Sequence, residues 1–300
     1  MSGRSKTALL LTGVFVFLSV HPAVADEPPT GYALLPGGQY FYSGDVRTGA
    51  AFAVPEIGLL ALGISQSGNL GRQDSTPELN VPLLLGAQLY VVDKWGYYQK
   101  RMLRLKDENP GFGPPVDRTP LGDLMLAPFK PEVMSSPLVI VSALLGFADG
   151  YYGPGKKQGA YSAVSSVTAM NRRMGRDTGT AYYEAASFGV SYGAGVSEEM
   201  IFRGMIMPII DHKYGKTTGL VSSSIGFGVL HSLNPGASGI YLPLQATFMG
   251  LLFGLQVQED DYNISKTIAA HFWYDFVSTT TTWLANPGEN PLGVQVRFGF

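Results

Sequence analysis

Three hundred residues carry 45% hydrophobic and only 15% charged content, against about 25% charged in soluble domains, a balance that points to a membrane protein with small extramembrane parts. The formal net charge of -2 removes the electrostatic case for a nucleic-acid partner, which calls for a basic stripe. Cysteine is absent, so disulfides, thiolate metal sites and a thiol nucleophile are excluded together, and any catalysis must use oxygen and nitrogen groups.

In chain order, residues 1–25 read as an export signal: a basic start at Arg4 and Lys6, an apolar stretch from Ala8 to Val20, and Ala23-Val24-Ala25 as a small-residue cleavage pattern before Asp26. An uncleaved anchor is the alternative. An Ala-x-Ala signal suits a bacterial envelope protein, and the inner membrane is the expected location. Leu35 to Gly44 combines turn formers with three aromatics, the composition of a segment docking at lipid headgroups.

Candidate membrane spans follow at Thr48–Gln66, Val81–Trp95, Ser136–Tyr152, Tyr182–Ile210, Thr218–Leu233, Ile240–Val257 and Ile264–Leu284. Pro55 and Glu56 interrupt the first, and Asp93 and Lys94 truncate the second. Two stretches read as loops, Asp107–Arg118 and the basic Gly153–Asp177. Satisfying the positive-inside rule for every basic cluster requires an extra crossing or a re-entrant piece near Leu121–Phe129. The expected fold is therefore all-α, a polytopic transmembrane helix bundle of about six to eight spans. The expected division is a signal (1–25), an N-terminal membrane-associated region with two or three spans (26–178), a core (179–286) and a tail (287–300).

The chemistry concentrates in the last third, where ionisable residues sit inside apolar sequence and become a functional-site hypothesis by default. In Ser197-Glu198-Glu199-Met200-Ile201-Phe202-Arg203, a helix places Glu199 and Arg203 one turn apart, the i, i+4 relation that lets a carboxylate and a guanidinium pair. Glu198 then points about 100 degrees away, towards a polar cavity where it can act as a general base. Gly189, Gly193, Ala194, Gly195 and Gly204 flank the pair and permit close helix approach. Phe227 precedes His231, and His271 precedes Asp275, each by four residues, so each pair shares a helix face. A carboxylate and an imidazole that activate water, with other groups on the oxyanion, fit amide hydrolysis. Glu198, His231, His271 and Asp275 equally make a nitrogen and oxygen ligand set for zinc. Spacing alone does not choose, although the absence of a His-Glu-x-x-His helix favours a site without cofactor.

Glu198-Glu199-x-x-x-Arg203, Phe227-x-x-x-His231 and His271-x-x-x-Asp275, in this order on successive apolar segments, resemble the intramembrane endopeptidases of the CAAX protease and bacteriocin-processing (CPBP, or Abi) family over Tyr182–Leu284. The resemblance implies a helical membrane bundle in which Glu198 activates water together with His231, His271 and residue 275 assist the oxyanion, and Glu199 and Arg203 support the geometry. Family members have been described both as metalloproteases and as glutamate proteases. Asp275 departs from the Asn of the eukaryotic prenyl-protein proteases, and an ionised Asp repels an oxyanion, so it must be protonated or orient His271. The expected partners are membrane lipid and a peptide or membrane-protein substrate. Two alternatives stand beside the protease: a non-catalytic membrane scaffold or immunity-type protein on the same fold, and an outer-membrane β-barrel suggested by the alternating tail Val294, Val296, Phe298, Phe300.

Overall fold

The computed structural model describes residues 28–73, 76–153, 159–234 and 239–299. The expected export signal lies outside the described residues. The principal elements in chain order are α1 (Val46–Gln66), α2 (Val81–Glu108), α3 (Pro137–Tyr152), β1 (Val164–Ala169), β2 (Arg172–Gly175), α4 (Arg176–Ile201), α5 (Met207–Tyr214), α6 (Lys216–His231), α7 (Tyr241–Glu259), α8 (Ser265–Ala285) and β3 (Gln295–Phe298). The chain is mostly helical, which overturns the β-barrel reading.

The all-α expectation needs one correction. The strands β2, β1 and β3 form a three-stranded antiparallel sheet in that order. Part of the basic stretch expected to be a loop is the β1–β2 hairpin, in which Ala169 pairs with Arg172. Met170 and Asn171 turn the chain between them, with φ of 49° and 58°, the two positive values that match the twist of a tight hairpin. The alternating tail is not a barrel strand; it supplies β3, with Val296 paired to Val167.

Among the described helices, only the stretch Val46–Asn69 is both long and apolar enough to cross a bilayer, with a mean hydropathy of 1.5; Pro137–Tyr152 is apolar but shorter. Other expected spans coincide with helices diluted by polar residues. Thus α2 runs on past Trp95 to Glu108, and α4 opens on Arg176 and Asp177 and carries Glu184, Glu198 and Glu199.

The chain divides into two compact units. Of the described residues, the first comprises those within Met1–Ala61, Gly86–Leu121 and Met200–Ile264. Here α6 and α7 pack through small residues: a Cβ on Gly228 would meet the Pro243 carbonyl at 2.4 Å, and one on Gly250 would meet Ser224 at 3.0 Å. Asp211 on α5 accepts hydrogen bonds from Gln258 and Tyr262, each at 2.8 Å, tying α5 to the end of α7. Buried Asp117 accepts the backbone N–H of Ile264 at 2.8 Å and that of Thr119 at 2.7 Å.

The second unit comprises Leu62–Leu85, Gly122–Glu199 and Ser265–Phe300. Its core joins the sheet to the helices: Val164, Val167, Ala169, Leu292 and Val294 pack with Tyr183 of α4 and Trp283 of α8, whose rings stack at 4.2 Å. Glu78 accepts the N–H of Met170 in the hairpin turn at 2.6 Å and that of Gly71 at 2.8 Å. Gly146 and Gly150, four residues apart on α3, lie against α8, where a Cβ would come within 2.3 Å of the Tyr274 carbonyl and 2.4 Å of the Ser278 carbonyl. This small-xxx-small pair sets the α3–α8 distance. Gly146→Leu is expected to lower stability by about 3 kcal/mol, the upper range of overpacking, read as a fall in the thermal unfolding midpoint of detergent-purified protein; an unchanged midpoint removes this contact from the account of the unit.

Candidate active site

Four of the six sequence-predicted site residues, Glu198, Glu199, His271 and Asp275, meet within the second unit. What brings them together is a glycine. A Cβ on Gly195 would lie 3.0 Å from the Ile268 carbonyl and 2.9 Å from the Phe272 backbone nitrogen, so α4 and α8 touch backbone to backbone, one turn before the two glutamates and beside His271. Hydroxyls fix the helices further along. Thr280 donates to Glu184 at 2.7 Å, Tyr183 donates to the Thr279 carbonyl at 3.2 Å, Ser187 and Thr279 share a hydrogen bond, and Ser278 donates to Asp149 of α3 at 3.1 Å. On the flank, Trp273 donates to the Pro128 carbonyl at 2.9 Å and Tyr192 to the Met125 carbonyl at 2.8 Å, which docks the short helical turns of Leu121–Phe129 against α8 and α4.

His271 sits among three carboxylates. Its Nδ1 lies 3.0 Å from Glu199 Oε1, and its Nε2 lies 3.4 Å from Asp275 Oδ2 and 4.0 Å from Glu198 Oε2. Nδ1–H donates to Glu199, which fixes the ring's orientation. With Nε2 also facing carboxylate oxygens, a neutral ring and three ionised acids would set lone pair against lone pair. An Nε2–H on the ring can donate to the Asp275 carboxylate. The two adjacent glutamates have different surroundings: the Glu199 side chain is 0% exposed while that of Glu198 is 34% exposed, and Asp275 is 31% exposed. Glu199 is thus the internal strut, and the other two acids have access to an incoming molecule.

Arg203 and His231 belong to the first unit. The α-helix α4 ends at Ile201, and Phe202–Ile206 winds as a π-helical turn, a device frequent at functional sites. The buried Arg203 guanidinium lies 4.4 Å from the ring centre of Phe227, 5.6 Å from that of Phe253 and 5.9 Å from that of Phe202. This aromatic cage exploits the negative faces of the rings. It also gives Phe227 of the Phe-x-x-x-His motif a job that spacing did not assign. His231, at the end of α6, donates Nδ1–H to the Phe227 carbonyl at 2.8 Å, which leaves Nε2 as the basic nitrogen of the neutral ring.

Among the described residues, no group of three or more His, Asp or Glu side chains is arranged to hold a metal ion. No step below runs through a metal.

Residues 183–277 match the family model of the Rce1-like type II CAAX prenyl endopeptidases. The Rce1-like segment covers α4 from Tyr183 and runs into α8 past Asp275, enclosing all three motifs. It is the relationship expected from those motifs. No curated protein and no solved structure matches the chain.

Residues that the sequence did not mark are Ser278, Thr279 and Thr280, together with Asp149 and Glu184 as the acceptors of Ser278 and Thr280. The available signal was the coincidence of hydroxyls on one apolar segment with lone acids on two others. Glu199→Ala removes the buried acceptor of His271 Nδ1–H and is expected to cost about 3–5 kcal/mol, as when one partner of a buried pair is deleted. Glu199→Gln keeps an acceptor oxygen and is expected to cost less than half of that. Chemical or thermal unfolding of both variants checks the order, and equal losses would show that the hydrogen bond is not what matters.

Proposed function

We propose that this protein is an intramembrane endopeptidase, hydrolysing peptide bonds of membrane-associated proteins or peptides in a bacterial inner membrane. The observation that carries the reading is His271 held by Glu199 on one nitrogen and facing Asp275 and Glu198 on the other, inside the Rce1-like segment. Such a cluster can accept a proton, hold it in a water-poor setting and return it.

In the proposed reaction Glu198 takes a proton from water as the oxygen attacks the scissile carbonyl. By the motif resemblance, His231 is assigned a share in activating that water. The carbonyl oxygen becomes an oxyanion, which accepts a hydrogen bond from the proton held between His271 Nε2 and Asp275. The proton on Glu198 passes to the leaving amine, so charge and protons balance. Asp275 suits the oxyanion role because its neighbour Nε2 shares a proton with it, as a neutral carboxyl can donate where an ionised one would repel. Glu199 and Arg203 act on geometry, the first through His271 Nδ1 and the second through the packing of Phe227 beneath His231.

Glu198→Gln and His231→Ala are each expected to lower peptide cleavage by about 10²–10⁴-fold, the range of general acid–base catalysis, with the unfolding midpoint unchanged. Purified protein in liposomes, assayed on a membrane-anchored peptide library, supplies the measurement, and full cleavage by both variants ends the proposal. Asp275→Asn, whose amide can still donate, is expected to stay within about tenfold of the parent. Activity is also expected to survive prolonged treatment with a strong chelator; its loss, restored by added zinc, would replace the metal-free mechanism.

A further inference from the structure

A second set of buried charges lies in the first unit, on residues that the protease reading does not use. Helix α1 is exposed along most of its surface, with Val54, Ile57, Leu60 and Ile64 all turned outward, as a lipid-facing helix should be. Within the first unit, its narrow buried stripe consists of Gly49, Phe52, Ala53 and Glu56 at helical spacing. Glu56 is the one ionisable member, and it is 3% exposed. Neither of its carboxyl oxygens has a hydrogen-bond partner among the described residues.

The neighbouring helix supplies the rest. A Cβ on Gly86 of α2 would stand 3.2 Å from Leu59 and 3.7 Å from the Glu56 carbonyl oxygen, so the two helices run close at this level. Tyr90, Asp93 and Lys94 of α2 interact electrostatically with Glu56 or with one another. Lys94 is the obvious counter-ion, yet its three donors are already used: Nζ lies 2.7 Å from Asp93 Oδ2, 2.7 Å from the Leu35 carbonyl and 2.7 Å from Gln39 Oε1. Asp93 Oδ2 takes the Gly37 N–H as well, at 2.9 Å, while Asp93 Oδ1 is buried without a partner among the described residues. From the Gly38–Tyr42 turn, Tyr40 stacks on Phe52 at 5.7 Å and Lys100 lies 5.9 Å from the Tyr40 ring, but Lys100 is exposed and pairs with Asp45 at 3.4 Å.

The charges do not balance. Two acids and one lysine leave a single negative charge, with three carboxylate oxygens lacking donors, in a place where an uncompensated ion costs several kcal/mol. We propose that Glu56 and Asp93 form a binding site for one small monovalent cation, a proton or a sodium ion, in the N-terminal membrane helix pair. A divalent ion would overshoot the charge by one. The site serves a region to which the catalytic chemistry assigns nothing, and it stands or falls independently of the peptidase reading.

Thermal unfolding of the detergent-purified full chain tests it, across about pH 5 to 9, in sodium and in N-methylglucamine buffers of equal ionic strength. The midpoint in the organic-cation buffer is expected to fall by at least about 3 °C at the alkaline end, because the site then empties. Recovery on adding sodium identifies sodium as a ligand, and a fall that sodium does not reverse identifies the proton. Glu56→Gln, which carries neither the charge nor the need for a cation, is expected to flatten both dependences. Where that variant does not accumulate, the infrared band of a protonated carboxyl group in the wild type, lost as pH rises or sodium is added, gives the same answer. A wild-type midpoint indifferent to pH and sodium, or an unchanged dependence in Glu56→Gln, overturns the proposal.

Discussion

Ionised groups in apolar surroundings must find their opposite or give up their charge, and this constraint organises the molecule. The imidazole of His271 is the clearest case: three carboxylates converge on it, and each nitrogen is assigned by what faces it. The guanidinium of Arg203 lies among three phenylalanine rings, whose negative faces favour its charge. Such arrangements fix side chains in place, because moving any member exposes another to a cost that neither water nor a neighbouring dipole can offset.

Backbone proximity is the second half of the design. Helices carrying acids can bring them to one imidazole only if the helices themselves lie close, and Gly195, Gly146 and Gly150 make that possible by omitting side chains where α4 and α3 meet α8. Hydroxyls then supply short polar links that do not require ionisation. The Ser278-Thr279-Thr280 stretch contacts α3 and α4 through four side-chain hydrogen bonds, so α8 is held on two sides while Asp275 and His271, one and two turns earlier, remain positioned but not smothered.

Much of this was legible in the residues. The ordered motifs located the Rce1-like segment within a few residues of the 183–277 match, since charged residues inside apolar sequence are a rare pattern with few explanations. The differing situations of Glu198 and Glu199 followed from helical periodicity alone. The hairpin was not legible, because Met170-Asn171 lacks the glycine that usually announces a two-residue turn and because Arg172 and Arg173 drew attention to charge instead of alternation. Nor could periodicity foresee that Phe202–Ile206 winds as a π-helical turn. The candidate span that Pro55 and Glu56 interrupt is, among the described residues, the one helix long enough and apolar enough to cross a bilayer.

The wide turn after Ile201 has a consequence for how this segment can vary. A π-turn is an α-helix that has absorbed an additional residue without unravelling, so everything downstream is rotated by roughly a quarter of a revolution relative to an uninterrupted coil. A one-residue deletion between Phe202 and Ile206 would leave composition and hydropathy nearly untouched, yet swing Met207 and Asp211 of α5 away from their present neighbours. Length in this short stretch is therefore under tighter restraint than identity.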